Sequence, residues 1–322
     1  MEQRTIERLG RSVSVIGLGT WQLGADWGEV SDADAGAVLD AAAERGVTFF
    51  DTADVYGDGR SERFCARLLP EHFVATKMGR RVDQVTENYN RENFLAWNDR
   101  SRANLSVETL DLVQLHGPPD GVYENDDVFE ALDEMVQAGR MRAYGVSVET
   151  CDQALAAIAR PHVATVQIIL NCFRRKPLEQ VLPAAREAGV GIIARVPLAS
   201  GLLSGRYDER TEFPASDHRN FNRRGDAFDV GETFAGVPFD VGLAAVKELK
   251  SLVDSEVPLA QFALRWVIDQ PGVSTVIPGA RNPDQVAGNV AAAALEPLSE
   301  EQLAGVRDVY DRLVRPHVHH RW

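Results

Sequence analysis

The sequence predicts an α/β chain closed into a (β/α)8 barrel, a TIM barrel, with residues 1–322 forming a single domain. Three observations carry that expectation. Eight short apolar, β-branched runs recur along the chain, helical patterns fill the intervals between them, and no dinucleotide-type glycine fingerprint follows the first run.

The runs are VIGLG ending at Gly19, FFDTA at 49–53, VATK at 74–77, LVQLH at 112–116, YGVSV at 144–148, VQIILN at 166–171, IIARVPL at 192–198 and TVIPG at 275–279. Between them, VFEALDEMVQAG puts Val128, Phe129, Leu132, Met135 and Val136 on one helical face, and LEQVLPAAREAG stops at Gly189, glycine being a favoured helix terminator. Ahead of the first run, TIERLGRSVSVIG reads as two short strands around Leu9-Gly10, a hairpin closing the barrel floor. After the last, residues 299–322 supply an extra C-terminal helix and tail. The rival architecture is a doubly wound open sheet, whose fingerprint is G-x-G-x-x-G after the first strand. GLGTWQLG at 17–24 fails that spacing and puts Trp21 where a pyrophosphate would approach.

Composition narrows the function. A formal charge of −14 argues against a nucleic-acid partner, which needs a wide basic surface. No apolar run reaches membrane-spanning length, and the start MEQRTIERLG lacks a signal-peptide core, so the expected location is cytoplasmic and off the membrane. Cys65, Cys151 and Cys172 lie far apart without a CxxC pair and are expected to be buried, reduced thiols. The C-terminal His317, His319 and His320 lack a clear ligand spacing, and no metal is expected.

One interval breaks the rhythm. About eighty residues separate the seventh and eighth runs, far more than a typical connection, and 199–239 is expected to be a cofactor or substrate loop. Arg206, Arg210, Arg219, Arg223 and Arg224 crowd its first half and suggest an anion to be held.

In a barrel of this kind the strand C-termini form the active face. Asp51, Lys77 and His116 stand at or just inside the end of three successive runs, the second, third and fourth, and Tyr56 follows Asp51 by five residues in FFDTADVYGDGRSE. In that stretch Gly57 and Gly59 are expected to make a turn and Ser61 to cap a helix. A lysine on an apolar strand needs a partner, and Asp51 on the neighbouring strand is the candidate. A buried ammonium is expected to lower the pKa of a phenol beside it, so that the phenol can give up a proton, and a neutral imidazole can orient a carbonyl oxygen. None of the four supplies a hydride, so a cofactor is implied.

These residues are specific enough to name a family. DTADVYGDGRSE, TKM around Lys77 and LVQLHGP around His116 resemble the aldo-keto reductase signature. The resemblance implies a barrel that binds NADP(H), with Asp51, Tyr56, Lys77 and His116 as the catalytic tetrad and a small-molecule carbonyl or alcohol as substrate. By the same resemblance, Gly19, Thr20 and Trp21 touch the cofactor, Asp51 lies beside it, and Ser147 and Gln167 hold the nicotinamide carboxamide. The segment PLASGLLSGR, through Pro197, Leu198, Ser200, Gly201, Leu203, Gly205 and Arg206, is similar to the pyrophosphate segment. Gly279, Arg281, Gln285 and Asn289 match the stretch that holds the adenosine 2′-phosphate and adenine, and Arg281 favours NADPH over NADH. Trp21, Tyr56, His116 and Trp322 are expected at the substrate, Trp322 by the tail folding over the barrel mouth.

Three positions depart from the family pattern. Val148 replaces a polar residue after the serine, and Gly288 stands where a glutamate is common. Arg195 stands where an aromatic ring stacks on the nicotinamide; it either stacks in its place, adding a positive charge that suits an acidic or phosphate-bearing substrate, or pairs with an aspartate. The expected activity is NADPH-dependent reduction of an aldehyde or ketone. The alternatives are a cofactor-binding sensor or partner subunit with little turnover, and a sugar or alcohol dehydrogenase working in the oxidative direction.

Overall fold

A computed structural model describes residues 1–24 and 30–322. It contains a two-stranded antiparallel hairpin, β1 (Gln3–Ile6) and β2 (Arg11–Ser14), and an eight-stranded parallel sheet. The sheet runs in chain order through β3 (Leu18–Gly19), β4 (Phe49–Asp51), β5 (Phe73–Met78), β6 (Leu110–His116), β7 (Met141–Ser147), β8 (Val163–Ile169), β9 (Gly191–Arg195) and β10 (Val273–Val276). Parallel bridges Ile16–Val276 and Gly19–Gly279 join its two edges, so the sheet closes on itself. Each of the eight runs read from the sequence supplies one of these strands.

Helices lie between consecutive strands because their apolar stripes need the outer barrel wall. Asp126–Gln137 buries Val128, Phe129, Ala131, Leu132 and Met135, with Val136 only partly covered. Val181–Ala188 stops at Gly189 with a left-handed φ of 68°. N-caps do the starting: Asn90 and Asn125 accept the backbone N–H of Asn93 and Asp127, and Thr150 and Ser299 form capping boxes with Gln153 and Gln302. The helix at Arg60–Cys65 departs from the expectation. Its N-cap is Gly59 in left-handed conformation, without a side-chain cap. Ser61 is instead fully buried, its hydroxyl 2.7 Å from that of Thr20 and 2.9 Å from that of Thr52. A hydroxyl facing the barrel rim finds partners there and is lost to the helix end.

The hairpin plugs the lower end of the barrel. Ile6 and Val13 join Phe49, Phe73, Ala75, Leu112, Ile193 and Ile277 in one buried cluster. This is the innermost apolar layer, and it seals the barrel opposite the polar rim. Gly191, which opens β9, is required by this contact: a Cβ there would lie 2.8–2.9 Å from three carbons of Ile6. The long interval after β9 contains short 3-10 turns and a one-turn helix, His218–Phe221, up to residue 236 and then two longer helices, Phe239–Lys250 and Leu259–Ile268. All three cysteines are free and buried, and burial pushes the thiols of Cys65 and Cys172 up to about 12. No helix among the described residues is long and apolar enough to cross a membrane.

Gly191→Ala is expected to destabilise the protein by about 1–3 kcal/mol through overpacking. Combined with Ile6→Ala, which itself opens a cavity, the loss should fall clearly short of the sum of the two single losses. Urea midpoints of the three variants check this.

Candidate active site

The polar residues at the upper rim are brought together by strand register. Gly19 pairs with Asp51, Lys77 with Gln114, His116 with Ser147 and Ser147 with Gln167. Lys77, 1% exposed, places its ammonium against Asp51 Oδ2 and donates to Thr52 O at 2.9 Å. The other carboxylate oxygen, Oδ1, accepts from Gln167 Nε2 at 2.7 Å and Gln114 Nε2 at 3.2 Å. The buried pair is therefore hydrogen-bonded on both sides, as a buried charge must be. Burial alone would lower the Lys77 pKa, but Asp51 and the Tyr56 hydroxyl outweigh it and hold the amine charged.

Tyr56 is delivered by the turn after β4. Gly57 and Gly59 both adopt left-handed φ, 57° and 81°, and a Cβ at Gly57 would collide with the Gly24 carbonyl. The Tyr56 hydroxyl lies 3.4 Å from Lys77 Nζ. Burial raises its pKa, Lys77 pulls it down, and Asp51 and Glu232 add to the rise. The sequence expectation that the ammonium lowers the phenol below its ordinary value thus meets a larger opposing effect, and Tyr56 is firmly protonated. His116 packs edge-on to Tyr56, ring centroids 5.9 Å apart. Burial first, then the charges of Arg80, Lys77 and Arg195, hold its imidazole well below the usual range, so it is neutral. Trp21 stacks on Tyr56 at 6.0 Å and meets His218 and Phe228 at 5.5 and 6.1 Å.

Tyr56, His116 and Asp51 line one end of a cavity of about 730 Å³ that runs past β3 and β9 to the start of the helix Pro283–Ala291. Lys77 acts from behind the wall. The expected cofactor residues line this cavity, Ser147 and Gln167 included, except two. Leu203 is fully buried in the core. Gly205 sits beyond it, ending the turn Ala199–Ser204 with a φ of 69°. The cavity wall after β9 is strained: Val196, Ala199 and Ser200 hold φ near 50°, a region β-branched residues avoid and one that concentrates at ligand sites. At the far end Arg281 is exposed, and its guanidinium makes no hydrogen bond or ion pair with the described residues. Its backbone N–H is held by Gln285 Oε1 at 2.8 Å, while Asn289 Nδ2 donates to Gly279 O at 3.2 Å. Among the described residues nothing lies within 4 Å of where a Cβ at Gly288 would be, so they leave the wall open there. A phosphate-bearing dinucleotide fits such a cavity: an uncommitted guanidinium beside a helix N-terminus at one end, polar amides at the other.

The sequence model of the "Aldo/keto reductase family" matches residues 15–311. The chain belongs to the aldo/keto reductase family. Aldo-keto reductase YhdN of Bacillus subtilis is 31% identical over 299 residues, 89% of this chain and 87% of that protein. Among solved structures, the glycerol dehydrogenase AKR11B4 from Gluconobacter oxydans superposes with a TM-score of 0.79 at 32% identity, covering 97% of this chain and 96% of that one. The aldo-keto reductase AKR11C1 from Bacillus halodurans, in its holo form, gives 0.76 at 27% identity with 96% of each chain covered. As a member of this family the chain is an oxidoreductase.

Within that family frame, several residues are placed differently from their expectation. Arg195 forms ion pairs with two glutamates rather than an aspartate: Nη2 with Glu149 Oε2 at 2.8 Å, Nη1 with Glu232 Oε1 at 2.5 Å. Nη2 also donates to Val148 O at 3.0 Å. Its charge is spent on carboxylates, so it offers no surplus for an acidic substrate. Arg219 of the long loop pairs with Asp217 and donates to Tyr207, and Arg223 donates to Arg219 O; of the five arginines there, Arg206 and Arg219 reach the cavity. Trp322 does not line the cavity. It is buried under the segment 229–236, its indole N–H 3.2 Å from Asp229 Oδ1 and the Arg174 guanidinium 3.4 Å over its ring. No group of three metal-ligating side chains occurs among the described residues; His319 meets Tyr310 and Glu179.

Sequence reasoning missed Gln114, Glu149 and Glu232. Gln114 carried a signal, an amide in the middle of the apolar run LVQLH. Glu232 carried none, because nothing in an irregular loop reports which strand end it will meet.

His116 gives a pH prediction. The folded protein keeps it neutral where an unfolded chain takes up a proton near pH 6.5, so protonation favours unfolding. Stability is full above about 6.5 and falls as pH drops below it. His218, pushed down to about 4 mainly by burial, adds a loss of the same sign. His116→Gln should flatten the fall of the urea midpoint between roughly pH 7 and 5 without abolishing it.

Proposed function

We propose that this chain is an NADPH-dependent reductase of aldehydes and ketones in which Tyr56 is the proton donor. The observation that carries the reading is the joining of two features in one cavity. At one end stands a protonated phenol 3.4 Å from a buried, carboxylate-paired ammonium; at the other stands an uncommitted guanidinium at a helix N-terminus. When bound, NADPH supplies the hydride that reaches the carbonyl carbon. Arg281 would hold the 2′-phosphate, with Gln285 and Asn289 toward the adenine and Ser147 and Gln167 toward the nicotinamide amide. The chain's own residues do the rest. Neutral His116 donates a hydrogen bond to the carbonyl oxygen and fixes its direction. Tyr56 transfers its proton to that oxygen as negative charge develops there, and Lys77 stabilises the phenolate left behind. Asp51 keeps Lys77 charged and aimed; Gln114 and Gln167 keep Asp51 in place.

The same groups serve alcohol oxidation, and the similarity to a protein named glycerol dehydrogenase makes that direction the second reading. A sensor subunit with little turnover would show NADPH binding without substrate-dependent oxidation.

Tyr56→Phe should lower kcat/KM for aldehyde reduction by roughly 10²–10⁴, the span of general acid catalysis, with NADPH binding by fluorescence titration nearly intact. Retention of wild-type turnover would show that another group donates the proton. Arg281→Ala should weaken NADPH binding by about tenfold or more, the worth of a charge-assisted pair, and leave NADH binding unchanged. Equal losses for the two cofactors would place the 2′-phosphate elsewhere.

A further inference from the structure

Glu232 lies in the expected 199–239 loop but was not among the expected site residues; its side chain stands in the cavity wall beside Arg195 and acts electrostatically on the Tyr56 phenol. Its Oε1 accepts from Arg195; its Oε2 accepts no hydrogen bond from the described residues. In a residue that lines the cavity, a carboxylate oxygen without a donor among the described residues is an acceptor available to a ligand donor.

The segment that carries Glu232 is built to hold it still. Ser200 Oγ donates to Glu232 O at 2.9 Å and accepts Phe234 N–H at 3.1 Å. Asp229 caps the turn by accepting Gly231 N–H at 2.7 Å and is itself bound by the Trp322 indole. Arg174 stacks on Trp322 and donates to Ala235 O at 3.4 Å. Such a frame gives a side chain a fixed direction, which specificity requires.

The charge of the fitting ligand follows from its neighbours. Arg80 contacts Glu149 and donates to His116 O. Arg195 holds Glu149 and Glu232, and Lys77 holds Asp51. Each cation near Tyr56 is thus committed to a carboxylate. An anionic substrate would meet Glu232 without a free counter-charge. A cationic one would be placed beside Arg80 and Arg195. A neutral molecule with hydroxyl donors meets neither penalty and satisfies Oε2.

Resting on the carbonyl-reductase reading, we infer that Glu232 is a specificity-determining residue that accepts a hydrogen bond from a substrate hydroxyl near the reacting carbonyl, which makes neutral hydroxyaldehydes and hydroxyketones the preferred substrate class. The test compares glyceraldehyde with propionaldehyde, equal in carbon number and different in hydroxyls, by NADPH oxidation. Wild type should show a kcat/KM ratio of at least roughly tenfold in favour of glyceraldehyde, the worth of a hydrogen bond to a charged acceptor. Glu232→Ala should bring that ratio to near unity, and Glu232→Gln, which keeps the shape and folds if alanine does not, should lower it at least threefold or so. Any common loss cancels in the ratio. A wild-type ratio near one overturns the inference, as does a ratio unchanged in both variants. Weaker NADPH binding by fluorescence titration with an unchanged ratio would overturn it too, assigning Glu232 to the cofactor. Failure of both glyceraldehyde and propionaldehyde to drive NADPH oxidation would sink the carbonyl-reductase reading itself, and this inference with it.

Discussion

The Asp51–Lys77 pair is the constraint on which the upper half of the barrel depends. An ammonium and a carboxylate at 1% and 3% side-chain exposure carry a desolvation cost of several kcal/mol per ion unless every remaining lone pair and proton is matched. Barrel geometry supplies the match. Asp51, Gln114 and Gln167 come from β4, β6 and β8, alternate strands of the closed sheet, and alternate strands contribute side chains to a common interior layer. Both amides converge on Asp51 Oδ1 for that reason, while Thr52 O takes another proton of Lys77. The layer below is mostly apolar and is closed by Ile6 and Val13 of the hairpin. Solvent is kept from the pair on the floor side, and the low dielectric that makes the pair costly also makes its effect on Tyr56 strong.

That effect has two opposed parts. Burial holds the phenol protonated, which is the form a proton donor must have at rest. In the proposed transfer, Lys77 acts mainly on the product, the phenolate. A group that stabilises charge only as it forms lowers a barrier without weakening the resting acid. The neutral His116 fits the same logic, since an imidazolium there would add a fourth positive charge to those of Arg80, Lys77 and Arg195 and compete for the phenolate.

Much of this was legible in the sequence because strands report themselves. Eight apolar runs with polar residues at their C-terminal ends gave the barrel, its rim and the convergence of Asp51, Lys77 and His116. Gly57 and Gly59 gave the turn that aims Tyr56. What was illegible depended on contacts between distant segments. Ser61 has the composition of a cap but lies next to Thr20, forty-one residues away in sequence. For Arg195 the sequence left stacking and an aspartate partner both open, because its actual partners Glu149 and Glu232 lie on other loops, 46 and 37 residues away. Trp322 was expected at the barrel mouth and lies one layer behind it, under the segment that carries Glu232.

The distribution of committed charge divides the cavity. At the Tyr56 end every cation has a carboxylate: Lys77 has Asp51, Arg80 has Glu149, and Arg195 has Glu149 and Glu232. At the other end Arg206 and Arg281 are exposed, and their guanidiniums have no partner among the described residues. Paired guanidiniums act as rigid scaffolding, and free ones as anion receptors. A ligand with phosphates therefore has one favourable orientation, with its phosphates away from Tyr56 and its neutral end toward it. The orientation that carbonyl chemistry needs is thus set by which arginines were given partners, and the glutamate that fixes Arg195 has an oxygen left to read what enters beside it.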